Sequence, residues 1–226
     1  MTRELRVLIE DPTKGKRWVA IAADWPGLER GGKSEAEAIA KLEAYVPRYM
    51  AIAKRAGLDA ELKRQTRTSI VAHHKGTGST DFWGISFAPS AEDREPISDA
   101  EFERRIKLLR AAWAEFDEVG ASVSEELSLG PRGGGRPRER IIRHVLRTEG
   151  EDFAKRLKVF TSFDDDTKRT PKDRKAHRER FVKAMREWRA EKKPLGNWTL
   201  LYLLRHAAYH VLDHTWEMQD RDLSGA

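Results

Sequence analysis

The hydrophobic periodicity of this chain changes after about residue 95, and that change limits the folds open to it. Before it, the apolar residues form short runs rich in β-branched side chains, which is typical of strands. After it, apolar residues recur at alternating spacings of four and three from Phe102 to Phe116, which indicates amphipathic helices. We therefore predict an α+β protein of two domains, residues 1–95 and 96–226.

The first domain is predicted to have the order β-β-α-β-β. Ser34 and Glu37 form a capping box that opens the helix, which is expected to stop near Gly57 and to kink or end early at Pro47. The four predicted strands cover residues 6–10, 17–22, 66–72 and 82–87.

The second domain is predicted to be all-α. Its first helix starts at the capping box of Ser98, and the remaining three are bounded by proline and glycine signals. These three are expected at about 137–159, from Thr170 to before Pro194, and at about 197–220. Four amphipathic helices of this length predict a four-helix bundle.

Composition excludes several classes of protein. The 226 residues contain no cysteine, so disulfide frameworks, cysteine zinc fingers and iron–sulfur clusters are excluded. No apolar stretch approaches the roughly 18 residues of a membrane helix, and the first residues do not resemble a secretory signal. We therefore expect a cytoplasmic protein that does not bind membranes.

Positive charge is concentrated in one segment. Residues 168–193 hold twelve lysines and arginines and four acids, within a chain of net charge +6. A solvated helix face is the favoured interpretation, with a nucleic-acid footprint as the less favoured one. Phe181, Met185 and Trp188 at helical spacing predict a buried stripe, whereas His177 is taken as part of the solvated run.

The last predicted helix places imidazoles where a bundle would bury apolar side chains. Its inward stripe runs through Leu203 and Ala207 and continues into His210 and His214, one turn apart, with His206 one turn earlier. A buried imidazole without a partner is costly, and two imidazoles at this spacing can bind one divalent cation. The sequence therefore predicts a metal site on this helix.

A third ligand is expected from a facing helix. His144 is the candidate because it lies among apolar residues of the second bundle helix. The alternative is that the histidines are ordinary core residues satisfied by carboxylates such as Asp213 or Glu217. Imidazole ligands suit zinc, the expected metal, and also nickel or iron. Histidines 73 and 74 are interpreted as surface or turn residues.

Two further features are assigned to chemistry. Glu217, one turn past His214, is predicted to accept a hydrogen bond from that ligand or to accept a proton in catalysis. The glycine-rich loop of residues 130–136 precedes the His144 helix, and its Arg132 and Arg136, with Arg138, could clamp an anionic cofactor. A flexible linker is the slightly favoured alternative for that loop.

These residues resemble those of a known superfamily. Residues 96–226 are similar to the DinB-like four-helix metalloproteins, with His144 on the second helix and His210 and His214 on the last. The resemblance implies a divalent metal on three imidazoles, with positions open to water or a low-molecular-weight thiol. After His214 the residues Thr-Trp-Glu-Met depart from the usual continuation.

The first domain resembles the HicB-like antitoxin fold over about 60 residues. The similarity lies in the segment Asp24-Trp-Pro-Gly27 and in the start of the helix that follows, residues 32–38. This resemblance implies a partner-binding domain, and no ribbon-helix-helix tail is appended to it.

The function expected from these features is a metal-dependent enzyme. It would be a thiol-dependent transferase or a hydrolase that acts on a small electrophilic substrate. The alternative is a non-enzymatic regulatory protein with a HicB-like partner-binding domain and a structural or vestigial metal site. A homodimer is left open.

Overall fold

The computed structural model describes residues 4–130, 135–163 and 169–225. It is an α+β protein in which a small four-stranded sheet precedes most of the helices. The chain divides into two compact units: the sheet unit, 1–112 with 204–209, and the histidine unit, 113–203 with 210–226. The boundary between the units falls after residue 112, and residues 204–209 of the C-terminal part of the chain belong to the sheet unit. These units therefore differ from the two predicted domains, whose boundary at residue 95 stays a prediction.

The sheet of the sheet unit has the strand order β3-β2-β1-β4. Its strands are β1 (Glu4–Asp11), β2 (Trp18–Ala22), β3 (Glu29–Gly32) and β4 (Arg67–Lys75). The β1–β2 and β2–β3 pairs are antiparallel, whereas β1 and β4 are parallel. A parallel pair needs a crossover connection, and here the segment between β3 and β4 supplies it.

Helices α1 (Glu35–Arg55) and α2 (Asp59–Lys63) form that crossover. The Ser34 hydroxyl accepts from the Glu37 amide, so the predicted N-terminal cap is present. Helix α1 packs on β2 and β3 and continues through Pro47, so the predicted early end there is wrong. It stops at Arg55, before Gly57, whose φ of 72° is left-handed.

The predicted strand at 82–87 is wrong, because the chain forms helix α3 (Gly78–Trp83) and then a turn. The Thr77 side chain accepts from the Ser79 and Thr80 amides and completes a capping box, and Gly84 ends the helix in the left-handed conformation. Strand β3 was not predicted. The observed order is therefore β-β-β-α-α-β-α rather than β-β-α-β-β.

A buried ionic cluster lies in the sheet unit around Arg205, which is 3% exposed. Its guanidinium donates to Asp93, to Glu29 Oε2 at 3.2 Å, to the Ser86 hydroxyl and to the Ala88 carbonyl. Burial raises the pKa of Glu29 to about 8 against the opposing charge of Arg205.

Helix α4 (Asp99–Ser122) begins as predicted, with the Ser98 hydroxyl accepting from the Glu101 amide. All the apolar residues of its predicted stripe from Phe102 to Phe116 are buried. A short 3₁₀ turn, Glu92–Arg94, precedes it.

The histidine unit contains α5 (Arg138–Thr148), α6 (Pro171–Ala190) and parts of α4 and α7 (Leu200–Asp220). The single helix predicted over 137–159 is wrong beyond Thr148, where a π-helical turn (Glu149–Phe153) and a 3₁₀ turn (Ala154–Leu157) follow. A Cβ at Gly150 would lie 2.2 Å from the Thr161 carbonyl oxygen, so the returning chain passes directly over this turn.

Helices of the histidine unit contact one another through aromatic and ionic pairs. Trp113 of α4 lies against Phe181 of α6, with ring centroids 6.2 Å apart. Arg178 of α6 donates to Asp117 of α4 at 2.7 Å. A Cβ at Gly120 of α4 would lie 3.2 Å from the Ile142 side chain of α5, so these two helices approach closely.

The basic segment is not solvated throughout. Phe181 and Met185 are buried as predicted, whereas Trp188, the third residue of that stripe, is half-buried. His177 and Arg178 are also buried, at 0% and 6% exposure, so placing His177 in a solvated run is wrong. The His177 ring lies edge-on to Phe163, and burial lowers its pKa to about 4.

Within the described residues, no helix is both long and apolar enough to cross a bilayer.

Candidate metal centre

Helices α5 and α7 bring three histidines together in the histidine unit. His210 and His214 lie one turn apart on α7, and His144 lies on α5. Each histidine offers one ring nitrogen, and these three nitrogens lie within 4.8 Å of one another. The structure therefore assembles the three residues that the sequence singled out as ligands.

The closest pair is formed across the two helices. His144 Nε2 and His210 Nε2 are 3.2 Å apart. The ring centroids of the three histidines are 4.8 to 5.0 Å apart, and two of the three pairs are nearly perpendicular. Phe153 closes one side, edge-on to His210.

All three imidazoles are partly buried. Burial lowers the pKa of His144 to about 4, and the nearby charges of His214, Arg136 and Arg147 act in the same direction, opposed by Glu217. His144 is therefore neutral at pH 7 and keeps a lone pair that can bind a cation.

A carboxylate orients His214. Its Nδ1 lies 2.7 Å from Glu217 Oε2, and the other oxygen of Glu217 accepts from Arg221 at 2.7 Å. A carboxylate can only accept, so Nδ1 carries a proton, and in the neutral form of the ring Nε2 keeps the lone pair. The hydrogen bond from His214 also lowers the pKa of Glu217, which stays ionised. These contacts favour the predicted acceptor role of Glu217.

The glycine-rich loop is only partly described. Arg132 lies outside the described residues, so its predicted anion contact has no structural account. Arg136 contributes positive charge near His144, and its carbonyl accepts from Arg221. Arg138 donates to the Val123 carbonyl at 2.8 Å, which ties the start of α5 to the end of α4.

An open pocket of about 310 Å³ lies beside His144. Its lining residues are His144, Arg147, Thr148, Glu151 and Asp152, from the last turn of α5 and the π-helical turn. π-helical turns inside helices are frequent at functional sites. Sequence periodicity alone did not indicate this pocket, because it arises where the α-helical pattern ends.

His206 does not belong to the histidine centre. It is 6% exposed in the sheet unit, where its ring is near Phe87 and Tyr209. A second group with metal-ligating atoms joins Asp11, Glu35 and His73. There the two imidazole nitrogens face different carboxylates, at 3.1 Å and 3.8 Å. His73 is exposed as predicted, whereas His74 is half-buried on β4, 3.3 Å from Glu10.

Comparison with protein-family models finds no match to this chain. Neither the curated proteins nor the solved structures give a match.

Proposed function

We propose that His144, His210 and His214 bind one divalent cation and that the protein is a metal-dependent enzyme. The observation that carries the proposal is the convergence of three ring nitrogens within 4.8 Å in the histidine unit. Imidazoles are borderline donors that suit zinc best here, with nickel and iron also accommodated.

The distances fit such an ion. Two nitrogens bound to one tetrahedral zinc at 2.0–2.1 Å lie about 3.3–3.4 Å apart. The 3.2 Å between the Nε2 atoms of His144 and His210 is close to that value. The third nitrogen lies within 4.8 Å of the other two, so it needs to approach them by at most about 1.5 Å to reach the same separation.

The surroundings prepare the ligands for a cation. His144 is neutral at pH 7, so no proton has to leave it. Glu217 holds the proton of His214 on Nδ1 and, fixed in turn by Arg221, keeps the ring oriented. We assign Glu217 a positioning role in this centre.

Three neutral ligands leave coordination positions open. A divalent cation bound this way would lower the pKa of a water or a thiol that joins it. The open pocket beside His144 gives a small substrate access to the centre, and Arg147, paired with Glu151, is its cationic lining residue. We infer a thiol-dependent transferase or a hydrolase acting on a small electrophile.

The resemblance to DinB-like proteins supports this inference. We infer that helices α4, α5, α6 and α7 correspond in order to the four helices of that superfamily, and that the three histidines take its ligand positions. That these helices form a four-helix bundle, and that the sheet unit is HicB-like, are parts of the same proposal.

Metal analysis tests the centre. Protein purified without chelators should contain about one zinc, nickel or iron per chain by mass spectrometry of the elements. His210→Ala and His214→Ala should lose it, whereas His73→Ala, which disrupts the other metal-ligating group, should keep it. Metal-free parent protein that also fails to take up added zinc would refute the proposal.

Activity is tested separately. The metal-loaded protein is assayed with glutathione or mycothiol and a chromogenic electrophile, and with a nitrophenyl ester for hydrolysis. Turnover lost in His214→Ala supports the enzyme. Stoichiometric metal without turnover of either probe class favours the regulatory alternative with a structural metal.

A further inference from the structure

Two large aromatic side chains are exposed side by side on α3 in the sheet unit. Phe82 is 72% exposed and Trp83 is 64% exposed. Their rings meet edge to face with centroids 4.7 Å apart. Scattered exposed apolar residues are common, but two adjacent exposed rings indicate a binding surface.

The short helix that carries them is held firmly. The Thr77 side chain caps its start, and Gly84, with φ of 70°, ends it. Asp81 fixes it to the loop between β1 and β2, because its carboxylate accepts from the amides of Thr13, Lys14 and Lys16. The hydrogen bond from the Thr13 hydroxyl and these amide bonds lower the pKa of Asp81.

This tether brings three cationic side chains to α3. Lys14, Lys16 and Arg17 line an open pocket of about 390 Å³ together with Gly78, Asp81 and Phe82. Arg17 lies along Gly84, where an added Cβ would be 3.3 Å from its Cδ. In the described part of the chain, none of the three cations has an ion-pair partner, and the carboxylate of Asp81 accepts from backbone amides and from the Thr13 hydroxyl.

We propose that this surface, formed by Lys14, Lys16, Arg17, Phe82 and Trp83 and called here the aromatic–basic surface, binds single-stranded nucleic acid. Exposed rings can stack on unpaired bases of any sequence, and the neighbouring cations can neutralise phosphates. A second copy of the chain, pairing the same surface, would place three positive charges opposite three. An acidic peptide without aromatic residues would leave the rings without a stacking partner.

The proposal makes a quantitative statement about salt. Three neutralised phosphates on a single strand give a slope of about −2 in log affinity against log salt. Affinity should therefore fall about 20-fold between 50 and 200 mM NaCl. Nucleic-acid binding at this surface is independent of the proposed metal centre, whose ligands lie in the histidine unit.

The test measures fluorescence anisotropy of labelled dT12 and rU12 with the full chain. Phe82→Leu/Trp83→Leu removes the stacking rings but keeps apolar surface, and should weaken binding by at least about 10-fold. Phe82→Tyr/Trp83→Tyr retains rings and should bind within about threefold of the parent. Lys14→Gln/Lys16→Gln should weaken binding and reduce the salt slope by about 1.4.

A matched control separates this surface from the basic segment. Lys172 and Lys175 are exposed on α6, and Lys172→Gln/Lys175→Gln removes the same charge there. We expect that variant to bind as the parent does. Absent binding by the parent at 50 mM salt, unaltered binding by the leucine pair, or loss confined to the α6 variant would overturn the proposal. So would a leucine pair that only changes the sedimentation of the protein, which would identify a self-association surface.

Discussion

Replacing Glu217 by Gln tests the proposed metal centre without removing a ligand. The amide oxygen can still accept from His214 Nδ1, so the ring keeps its proton position and the Nε2 lone pair. The negative charge is lost, and so is one acceptor: an amide NH2 takes the place of the oxygen that accepts from Arg221, and it cannot accept. The metal affinity should fall, because a neutral acceptor makes His214 a less basic ligand.

The magnitude follows from that single hydrogen bond. A hydrogen bond to a charged group contributes about 1.5–3 kcal/mol and a neutral one about 0.5–1.5 kcal/mol. Matching ends of these two ranges differ by about 1–1.5 kcal/mol, and because the side chain of Glu217 is 33% exposed, no larger loss is expected. This corresponds to a Kd for zinc weakened about 10-fold.

Competition with a chromogenic chelator at pH 7.5 measures that Kd. Glu151→Gln is the control, because Glu151 lines the pocket beside His144 but pairs with Arg147 and not with a ligand. It should change the zinc Kd by less than about threefold. An unchanged Kd in Glu217→Gln, or an equal loss in the control, would show that Glu217 does not tune the centre.

Three other measurements check the structure. Arg205→Met should lower the free energy of unfolding by about 3–5 kcal/mol, because it leaves the buried carboxylate of Asp93 without its cation. This loss corresponds to a Tm lowered by roughly 6–20 °C. The same change at Arg6, in a part-exposed pair with Asp24, should cost under about 1 kcal/mol, and equal losses would contradict the difference. The carboxyl of Glu29 has a pKa of about 8 in the folded protein, so it keeps a proton that the unfolded chain releases near pH 4.5. Between about pH 5 and 8, Glu29 should therefore make the unfolding free energy of the parent fall as the pH rises, by at most about 1.4 kcal/mol per pH unit. In urea titrations across this range Glu29→Gln should lack that contribution, and an unaltered pH profile would refute the raised pKa. Zinc at 100 times its Kd should raise Tm by roughly 5–11 °C in calorimetry but not in variants lacking a ligand histidine, and an equal rise in those variants would place the ion elsewhere.

Local signals explain which elements could be predicted. Helix α4 combines a capping serine, Ser98, with an apolar stripe, and both act within a few residues of chain. Strand β3 has no such signal, because Glu29–Gly32 contains two glycines and no β-branched residue. It becomes a strand by pairing with β2, a long-range contact that no window of sequence contains.

The error at residues 82–87 has a different cause. Aromatic residues there suggested a strand, but Thr77 and Gly84 are themselves helix start and stop signals. Those local signals determine the structure, and the rings of Phe82 and Trp83 are exposed rather than packed in a sheet. The strand prediction gave composition more weight than these helix-end signals.

The histidines show the same division between local and long-range information. The spacing of His210 and His214 is readable directly, whereas the proximity of His144 depends on how α5 and α7 pack. His177 precedes Phe181 by one helical turn and so shares its buried face, a signal that the surrounding lysines obscured. Arg221 follows Glu217 at the i+4 spacing and could have been predicted as its partner.

The contrast between two polar clusters on α7 argues that the histidines hold a cation. Arg205 is surrounded by carboxylates and acceptors that satisfy all three nitrogens of its guanidinium. The histidine centre differs, because Nδ1 of His214 donates its proton to Glu217. In the neutral ring, Nε2 of His214 then keeps a lone pair that can bind a cation. Protonation is disfavoured at His144, whose pKa is about 4, so a proton is a poor occupant at pH 7. A divalent cation that accepts three lone pairs satisfies this arrangement, and that complementarity is the physical basis of the proposed function.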